Sequence, residues 1–463
     1  MPIPFKSSRL AYTFLAALMP HSAHASDFPP RVCDVRSFGA NGNQQAIALS
    51  TKFIQAAIDA CAAAGGGTVE LPAGNYLSEP LVLKSNIRLH LAKDAILIAT
   101  TDEASFRVAP DKERPVLGGG WLPFISVPDA QNVSISGEGI IDGQGAVWWE
   151  RWRADVRANP SNPTVRRVTN RPRLITVSNS RNVLIEGVNL VNSPSFHIVL
   201  RNSEDIDITR TRITAPRHAP NTDAIDPTNS RNIRITYNTI DCNDDHVAIK
   251  AEKPDPKIPE GVVSNIYIAH NTLLQGRGIS IGSETSGGVR GILVEHNTFV
   301  GSMYGLRIKS PRGKGGPVRD VVYRDITMTD VAVPLVFSGY YEGTPTNQAA
   351  VDKMLAAGGF VVGDQIYPPE TDEAQAFQSA GTPRFVGVTI SNLRSTGASK
   401  SAGYFVGLPE AAIADFVMEN VHIEADTGLL VRNAHIKAKG LQIKARQGPP
   451  ILLQRGGEVT ATE

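Results

Sequence analysis

The sequence contains little cysteine, with only three cysteines among 463 residues. So few thiols exclude a small scaffold that is held together by disulfides. Cys33 falls on a predicted first strand and Cys61 near the end of a predicted helix, so these two could pair in an oxidising compartment and leave Cys242 single. Three buried thiols are an equally good interpretation of the same residues.

Long apolar runs are also missing, apart from one near the N-terminus. There Lys6 and Arg9 precede the run "LAYTFLAALM", and the small-residue pattern Ala23-His24-Ala25 follows it. This order is typical of a secretory signal peptide, and the run is too short to anchor the chain in a membrane. We therefore expect a signal peptide at residues 1–25, export to the periplasm or the extracellular space, and no membrane partner. The mature chain, residues 26–463, is predicted to be a single domain.

The sequence lacks an excess of charge of either sign. Its 46 Lys and Arg residues balance 45 Asp and Glu residues, and removal of Lys6 and Arg9 with the signal peptide changes the net charge from +1 to −1. This near-neutrality argues against a nucleic-acid partner held by a general basic surface. The glycine runs near residues 65 and 118 lack the strand-to-helix context of a phosphate-binding loop, so we expect no cofactor.

What the sequence does contain is a repeat of short segments rich in valine and isoleucine. Each nine-residue segment has aliphatic or aromatic residues at its second and fourth places and an apolar residue at its ninth. The segments begin at residues 182, 205, 232, 265, 291, 320, 415 and 435. The first six starts lie 23, 27, 33, 26 and 29 residues apart. A unit of this size, with two or three short strands and no helix, is typical of one coil of a parallel β-helix.

A recurring asparagine supports this interpretation. Asn238, Asn271 and Asn297 occupy the seventh place of their segments, and threonine follows each of them. Because asparagine tolerates left-handed turns and can hydrogen-bond along a stack, we expect an asparagine ladder at this turn. A β-sandwich or a propeller would need hairpin turns, and the Asn-Gly and Asp-Gly pairs that favour hairpins are nearly absent.

One helix and two breaks interrupt the strand pattern. The helix "TKFIQAAIDACAAAGGG" places Ile54, Ile58 and Cys61 on one face, and we expect it to cap the N-terminal end of the coil. Residues 150–173 are polar and basic, and residues 340–383 place a helix-like segment within sequence rich in proline and glycine. We predict loop insertions at about 150–173 and 340–383, because long breaks in a compact repeat usually carry function or build a wall.

The stretch "IDCNDDHVAIK" puts the adjacent carboxylates Asp244 and Asp245 before an apolar strand. When the inward-facing aliphatic residues of successive coils are aligned, Asp223, Asp245 and Arg277 fall in one column, with about 4.8 Å between coils. The same alternation turns Arg307 and Lys309 outward on this face. Three carboxylates and two or three cations therefore converge. The plain alternative is a row of ion pairs that decorates the outside of the coil.

Four blocks of this region resemble a known family. In order along the chain, "PNTDAID", "NDDHVAIK", "GRGISIGSETSGG" and "GLRIKS" look like the signature blocks of the polygalacturonases, the pectin-cleaving enzymes of glycoside hydrolase family 28. The similarity extends from "VCDVRSFGA" to "GYFVGLPE" and covers most of the mature chain. It implies an all-β fold, a right-handed single-stranded parallel β-helix, and hydrolysis with inversion at the anomeric carbon.

The resemblance also implies roles for individual residues. Asp244 matches the proposed general acid, and Asp223 and Asp245 match the pair that activates water. Inverting enzymes need carboxyl groups about 6.5–9.5 Å apart, so that a water molecule fits between them and the sugar. The residues that match or suit substrate binding are Asn221, Arg277, Arg307, Lys309, Tyr340 and Tyr341. The partner implied is a galacturonic-acid-containing polysaccharide or oligosaccharide, bound by a monomer without a metal ion.

The third block departs from the family at Arg277, where the family usually has a histidine. An arginine cannot exchange a proton as a histidine can. From the column we expect Arg277 to lie against Asp245 and to keep that carboxylate ionised. If Arg277 approached Asp244 instead, it would lower the pKa of the general acid and harm catalysis. His246 could replace the missing histidine, but we expect it to pack in the coil or to face solvent.

The sequence is also compatible with two other functions. A pectate-lyase-like β-helix enzyme would use clustered aspartates to bind calcium. A non-catalytic carbohydrate-binding β-helix would keep the coil and the cations without needing three aspartates. Among hydrolases, the two breaks predict an exo-acting enzyme, because they are long enough to close one end of a groove. The glycan itself stays open between homogalacturonan, rhamnogalacturonan and a substituted galacturonan.

Overall fold

The computed structural model describes residues 28–42, 49–108, 120–159, 171–253, 263–341, 348–362 and 365–462. The predicted signal peptide lies outside these residues, as do parts of both predicted loop insertions. None of the helices in the described part of the chain is long and apolar enough to cross a membrane.

The described residues contain three α-helices and two short 3-10 helices. The α-helices are α1 (Thr51–Ala63), α2 (Gly145–Ala158) and α3 (Gln348–Ala356). The 3-10 helices are Val35–Phe38 and Glu103–Phe106. Strands form most of the remaining chain.

The strands are short in the first two thirds of the chain and long at its end. In the N-terminal part they are β1 (Val32–Asp34), β2 (Gly67–Leu71), β3 (Gly74–Ser78), β4 (Leu81–Val82), β5 (Ile87–Leu91), β6 (Ala95–Ala99), β7 (Ile125–Pro128), β8 (Gln131–Gly137) and β9 (Ile140–Asp142). In the middle they are β10 (Ile175–Ser178), β11 (Arg181–Glu186), β12 (Asn189–Val191), β13 (Ile198–Arg201), β14 (Glu204–Thr209), β15 (Arg212–Thr214), β16 (Ile225–Thr228), β17 (Arg231–Thr236), β18 (Thr239–Asp241), β19 (Val247–Ile249), β20 (Val263–Ala269), β21 (Thr272–Leu273), β22 (Ile279–Ile281), β23 (Val289–Glu295), β24 (Thr298–Val300) and β25 (Tyr304–Lys309). At the end they are β26 (Pro317–Thr329), β27 (Val333–Ser338), β28 (Phe360–Val362), β29 (Gln365–Tyr367), β30 (Arg384–Val406), β31 (Ile413–Arg432), β32 (Ala434–Leu453) and β33 (Gly457–Ala461).

Three parallel ladders run along the molecule, because each strand from β2 to β23 pairs with the strand three places further along the chain. One ladder contains β5, β8, β11, β14, β17, β20 and β23, the second contains β6, β9, β12, β15, β18, β21 and β24, and the third contains β7, β10, β13, β16, β19, β22 and β25. The long strands β30, β31 and β32 pair in this order along most of their length, and β33 pairs with the start of β32. Since successive parallel strands are joined by right-handed crossovers, the chain forms the right-handed parallel β-helix that the sequence predicts.

The core fills the inside of the coil with stacked aliphatic residues. Ile206, Ile233, Ile266 and Ile292 occupy one register position on four successive coils, and all four are buried. Each fully buried side chain of this size contributes about 1.5–3 kcal/mol. The inward positions that the sequence alternation assigned are therefore the positions that stabilise the fold.

The predicted asparagine ladder is present. Asn238 Nδ2 donates to Asn271 Oδ1 at 3.0 Å, and Asn271 Nδ2 donates to Asn297 Oδ1 at 2.9 Å, with all three side chains buried. The left-handed backbone belongs to the residue before each of them, for example Tyr237 with φ 59° and His270 with φ 58°. The asparagines therefore satisfy polar groups inside the turn rather than supplying its left-handed residue.

Helix α1 caps the N-terminal end of the coil, as predicted. It buries Ile54, Ala57, Ile58 and Cys61 against the first strands. The three cysteines are free thiols in this structure. Burial and a hydrogen bond with the Cys33 side chain raise the pKa of Cys61 to about 12.

The two breaks in the repeat carry regular structure. Residues 150–158, predicted as loop, belong to α2, which buries Trp148 and Trp149 at its start. The helical periodicity of "AVWWERWRADV" was the missed signal. In the second break, α3 confirms the helix-like segment, and the antiparallel hairpin β28–β29 follows it.

Candidate active site

The backbone register agrees with the predicted column. Ile225 pairs with Val247, Val247 with Ile279, and Ile279 with Leu306. Asp223, Asp245 and Arg277 therefore lie at matching positions on three successive coils. Asp244 and Asp245 occupy the irregular turn before β19, where the Asp245 N–H donates to Asp244 Oδ1 at 3.0 Å. This turn lets two adjacent side chains reach one place.

The structure brings the three aspartates together. One oxygen of each of Asp223, Asp244 and Asp245 lies within 4.8 Å of one oxygen of the others. Asp223 and Asp245 are buried, whereas the Asp244 side chain remains 14% exposed. Of the three, Asp244 is thus the one most open to a leaving group. These oxygens lie within 4.8 Å of one another, whereas the inverting spacing of about 6.5–9.5 Å is measured between whole carboxyl groups.

Two cations and a hydroxyl hold Asp245. Lys309 Nζ lies 2.6 Å from Asp245 Oδ2, Arg307 Nη1 lies 3.3 Å from Oδ1, and the Ser280 hydroxyl donates to Oδ1 at 2.8 Å. Burial by itself raises the pKa of Asp245, but Lys309 and Arg307 outweigh it and hold the pKa below its usual range. Asp245 is therefore an ionised carboxylate inside the protein, which suits a general base.

Asp223 has the opposite electrostatic environment. Burial and the neighbouring Asp226 raise the pKa of Asp223 well above its ordinary value, Asp244 and Asp245 raise it further, and Lys250 opposes them. Lys250 Nζ lies 2.6 Å from Asp226 Oδ2 and 3.6 Å from Asp223 Oδ2. Of the clustered carboxylates, Asp223 is accordingly suited to retain a proton.

Sequence reasoning missed Asp226 and Lys250 as members of this cluster. Asp226 follows the inward Ile225 on β16, and Lys250 follows the inward Ile249 directly after β19. Alternation turns both side chains outward on the face that carries Asp223. The strand alternation was therefore the sequence signal that could have predicted this ion pair, because it turns Asp226 and Lys250 outward on neighbouring coils.

The expected position of Arg277 against Asp245 is wrong. Arg277 Nε lies 3.8 Å from Asp244 Oδ1, and the Arg277 N–H donates to the Asp244 carbonyl at 2.8 Å. Lys309 and Arg307 occupy the space next to Asp245, so Arg277 turns toward the preceding residue. The Arg277 side chain is 24% exposed and can reach a ligand as well as Asp244.

Arg307 and Lys309 are more deeply buried than direct contact with a sugar requires. The Arg307 side chain is fully buried, and its guanidinium lies over the Tyr304 ring at 4.0 Å from the centroid. Lys309 lies beside the Tyr341 ring, at 4.8 Å from its centroid. In this structure both cations contact Asp245. Their predicted role in holding a sugar carboxylate stays a prediction.

The two adjacent tyrosines have different surroundings. Tyr341 faces Lys309, so the structure places it at the site. Tyr340 instead donates its hydroxyl to Asp372 Oδ2 at 2.7 Å and lies under the Arg312 guanidinium. Tyr340 therefore connects Asp372 of the second break to Arg312, and its role as a sugar platform stays a prediction.

Asn221 lies two residues before Asp223 in a left-handed backbone conformation, with φ 52°. Its Oδ1 accepts a hydrogen bond from Arg171 Nη2 at 3.0 Å. His246 packs in the coil, as expected: its Nε2 pairs with the Gln275 carbonyl at 2.9 Å, and burial lowers its pKa to about 4. His246 does not replace the histidine that Arg277 displaces.

The three clustered carboxylates fit a metal ion poorly. Calcium prefers six to eight oxygen ligands. Here both oxygens of Asp245 already accept from Lys309, Arg307 or Ser280, and Lys250 lies 3.6 Å from Asp223. An ion would have to displace these donors, so the chemistry of the cluster is that of acids, bases and cations.

Comparisons with known proteins agree with this geometry. Residues 61–355 match the model of the glycosyl hydrolases family 28. An endo-polygalacturonase from Pectobacterium carotovorum subsp. carotovorum is 38% identical over 306 residues, which cover 63% of this chain and 72% of that protein.

Solved structures show the same fold. A polygalacturonase from Erwinia carotovora ssp. carotovora superposes with a TM-score of 0.65 at 27% identity, over 94% of this chain and 98% of that one. A family 28 exopolygalacturonase from Yersinia enterocolitica superposes with a TM-score of 0.74 at 21% identity, over 94% of this chain and 78% of that one. Because this family model matches more than half of its residues, the chain belongs to the glycosyl hydrolases of family 28.

Proposed function

We propose that the protein hydrolyses α-galacturonide linkages in pectic polysaccharide or its oligomers, with inversion at the anomeric carbon. The observation that carries the proposal is the meeting of Asp223, Asp244 and Asp245 within 4.8 Å. Lysine and arginine surround this cluster on the same face, which suits an anionic sugar chain.

The geometry supports a division of labour between the carboxyl groups. Asp244 is the most exposed and is placed to give a proton to the leaving oxygen. Asp245 is ionised by Lys309 and Arg307 and is placed to take a proton from water. Asp223 favours its protonated form and can orient that water by donating a hydrogen bond. Acid and base then act on opposite sides of the scissile bond, which gives inversion.

The experiment is hydrolysis of polygalacturonate by the purified protein, followed by the release of reducing ends. Asp244→Asn and Asp245→Asn should each lower turnover about a thousandfold, within the ~10²–10⁴ range of general acid–base groups. Asp207→Asn is the matched control, because its side chain is also 14% exposed and ion-paired but lies on β14, in a different ladder from the site strands. Turnover close to that of the unmodified protein in either active-site variant would refute the assignment.

The stereochemistry has its own measurement. Proton NMR during the first minutes of a digest should show the β-anomer of the new reducing end, since inversion of an α-linkage produces it. An excess of the α-anomer would indicate retention and would contradict the roles given to Asp244 and Asp245.

We further propose that attack is exo, from a chain end. The two breaks in the repeat lie on either side of the site along the coil. Arg153 on α2 donates to the His218 carbonyl at 2.9 Å, next to the coil of Asn221. On the other side, Tyr304, which underlies Arg307, donates its hydroxyl to the Val362 carbonyl of β28 at 3.2 Å. A wall at one end of a groove is enough to turn it into a pocket that accepts a chain end.

A time course of galacturonan digestion tests this second proposal. Mono- or disaccharides should accumulate from the start while viscosity falls slowly. A rapid fall in viscosity with long oligomers at early times would make the protein an endo-hydrolase and would leave the hydrolytic proposal standing.

The same digest separates the rival functions. A pectate-lyase-like enzyme would release unsaturated uronides and would lose activity with a calcium chelator. A carbohydrate-binding β-helix would retain galacturonan without releasing any product. We expect saturated products, insensitive to chelator.

We also propose that the protein is exported and acts as a monomer. The support for export is the order of charged, apolar and small residues in positions 1–25. Cell fractionation with N-terminal sequencing tests the cleavage after Ala25, and light scattering of the purified protein tests the monomer.

A further inference from the structure

A buried arginine outside the carboxylate cluster connects the first break to the active-site turn. Arg171 is 2% exposed. Its Nη1 donates to the carbonyls of Pro194 and Pro220 at 3.0 and 2.8 Å, and its Nη2 donates to Asn221 Oδ1 at 3.0 Å. Arg171 thus joins two successive coils and a side chain at the edge of the site.

An aromatic ring also packs against the flat face of the Arg171 guanidinium. The guanidinium lies over the Trp152 ring of α2, with 5.2 Å between the guanidinium carbon and the ring centroid. Such a cation–π contact is strongest where water is excluded, as it is here. Burial lowers the pKa of Arg171 to about 10, with Arg153 adding to the effect and the Asp223 and Asp244 charges opposing it. The side chain therefore stays charged at neutral pH.

The contact with Arg171 determines which end of the Asn221 amide faces the site. Arginine has donors and no acceptor, so the atom that faces Nη2 must be the amide oxygen. The amide nitrogen then points the other way. Among the described residues Asn221 Nδ2 has no hydrogen-bond partner, although the side chain is only partly exposed. It offers two N–H donors two residues from Asp223.

We propose that Arg171 is a positioning residue that locks the Asn221 amide, so that its NH₂ group donates to an acceptor oxygen of the bound uronide. The acceptor is a carboxylate or hydroxyl oxygen of a sugar next to the scissile bond. This inference rests on the proposed function and adds a specific donor to it. Arg171 itself stays buried and does not touch the substrate.

The test is a double-mutant cycle on oligogalacturonate hydrolysis with the full-length protein. Arg171→Met keeps the apolar stem but loses the donors, and Asn221→Ala removes the amide. Each should raise KM about tenfold and leave kcat within about threefold, because the interaction holds the ground state as well as the transition state. The double variant should be no worse than Asn221→Ala alone, since both changes remove one interaction.

A variant that changes the charge at residue 221 tests the donor role of the Asn221 amide directly. Asn221→Asp keeps the acceptor for Arg171 but turns a donor into a second acceptor toward the anionic sugar. Its KM should exceed that of Asn221→Ala. If Asn221→Asp binds as well as the unmodified protein, Asn221 does not donate to the substrate and the inference fails.

A matched control separates positioning from general stability. Arg432 is also buried, donates to the Pro368 carbonyl at 2.6 Å and to Gln454 Oε1 at 2.8 Å, and lies over the Phe360 ring. Arg432→Met should lower the melting temperature as Arg171→Met does while leaving KM within about threefold. Equal effects on KM would assign Arg171 a structural role only.

Failure of the role proposed for Arg171 can be told apart from failure of the proposed function. If Arg171→Met does not fold, Arg171→Lys and the two Asn221 variants carry the test, because the single nitrogen of lysine cannot reproduce the fork in which two guanidinium nitrogens donate to the carbonyls and the amide. If the unmodified protein does not hydrolyse galacturonides, the proposed function fails. If it does and the cycle is additive, only the role of Arg171 fails.

Discussion

Replacing Lys309 with methionine should destabilise the folded protein by about 3 kcal/mol. Lys309 and Asp245 lie 2.6 Å apart, and their side chains are only 5% and 3% exposed. Removing one partner of a buried pair typically costs ~3–5 kcal/mol, because it leaves an uncompensated buried charge. Arg307 and Ser280 still contact Asp245 in this variant, which places the loss at the lower end.

The expected shift in melting temperature follows from chain length. An unfolding entropy of about 2.1 cal/mol/K per residue gives about 1 kcal/mol/K for 463 residues. A loss of about 3 kcal/mol therefore lowers the melting temperature by about 3 °C. Differential scanning calorimetry at pH 7 measures it. Lys314→Met is the control, because its pair with Glu284 has a similar length of 2.8 Å but a lysine that is 56% exposed.

The loss of stability caused by Lys309→Met should depend on pH. Lys309 helps to depress the pKa of Asp245, and this contribution to stability is present above the ordinary pKa of an aspartate, about 4. It disappears as the pH falls through the depressed pKa of the folded state. The loss caused by Lys309→Met should therefore be complete at pH 7 and shrink below about pH 4. A variant as stable as the unmodified protein at pH 7, or an equal loss in Lys314→Met, would refute the reasoning.

Three further predictions concern the site and the coil. Lys250→Met should raise the pKa of Asp223 and shift the alkaline limb of kcat/KM to higher pH, because Asp223 acts in its protonated form, whereas Asp226→Asn should shift that limb to lower pH. Shifts of the same sign would contradict the proposed coupling. Arg277→His should raise KM for oligogalacturonates about tenfold, because a charge-assisted contact is lost, and it should add a titration near pH 6.5 to the pH profile of activity. An unchanged pH profile would place Arg277 outside the chemistry. Asn271→Ala should lower the free energy of unfolding by about 3 kcal/mol, because it leaves the buried hydrogen-bond partners at Asn238, Ile235 and Asn297 unsatisfied. A loss below about 1 kcal/mol by calorimetry would show that water replaces the ladder.

The departure at Arg277 acquires a definite physical meaning from the structure. A histidine next to Asp244 could accept and return a proton, but arginine cannot. The contact at 3.8 Å with 24% exposure leaves the guanidinium able to face both Asp244 and a bound ligand. The Arg277→His variant therefore asks whether this chain uses the position for charge or for proton exchange.

The sequence by itself determined the coil and the location of the site. The repeat of inward aliphatic residues fixes which side chains fill the core, because alternation along a strand leaves one buried face. The same alignment placed Asp223, Asp245 and Arg277 in register on successive coils. The asparagine ladder followed from a single position in the repeat.

Only the tertiary structure decided which cation meets which carboxylate. Side chains as long as arginine and lysine reach across one or two coils, so backbone register does not fix their partners. Arg277 turns to Asp244 because Lys309 and Arg307, both on β25 of the following coil, already surround Asp245. The break before β10 shows the same limit. Arg171 lies four residues before Ile175 and Asn221 four residues before Ile225, so the repeat puts them at matching positions two coils apart, but it does not show that their side chains meet. Their contact exists because α2 and the coil close around one buried guanidinium, and that packing arises only when the chain is folded.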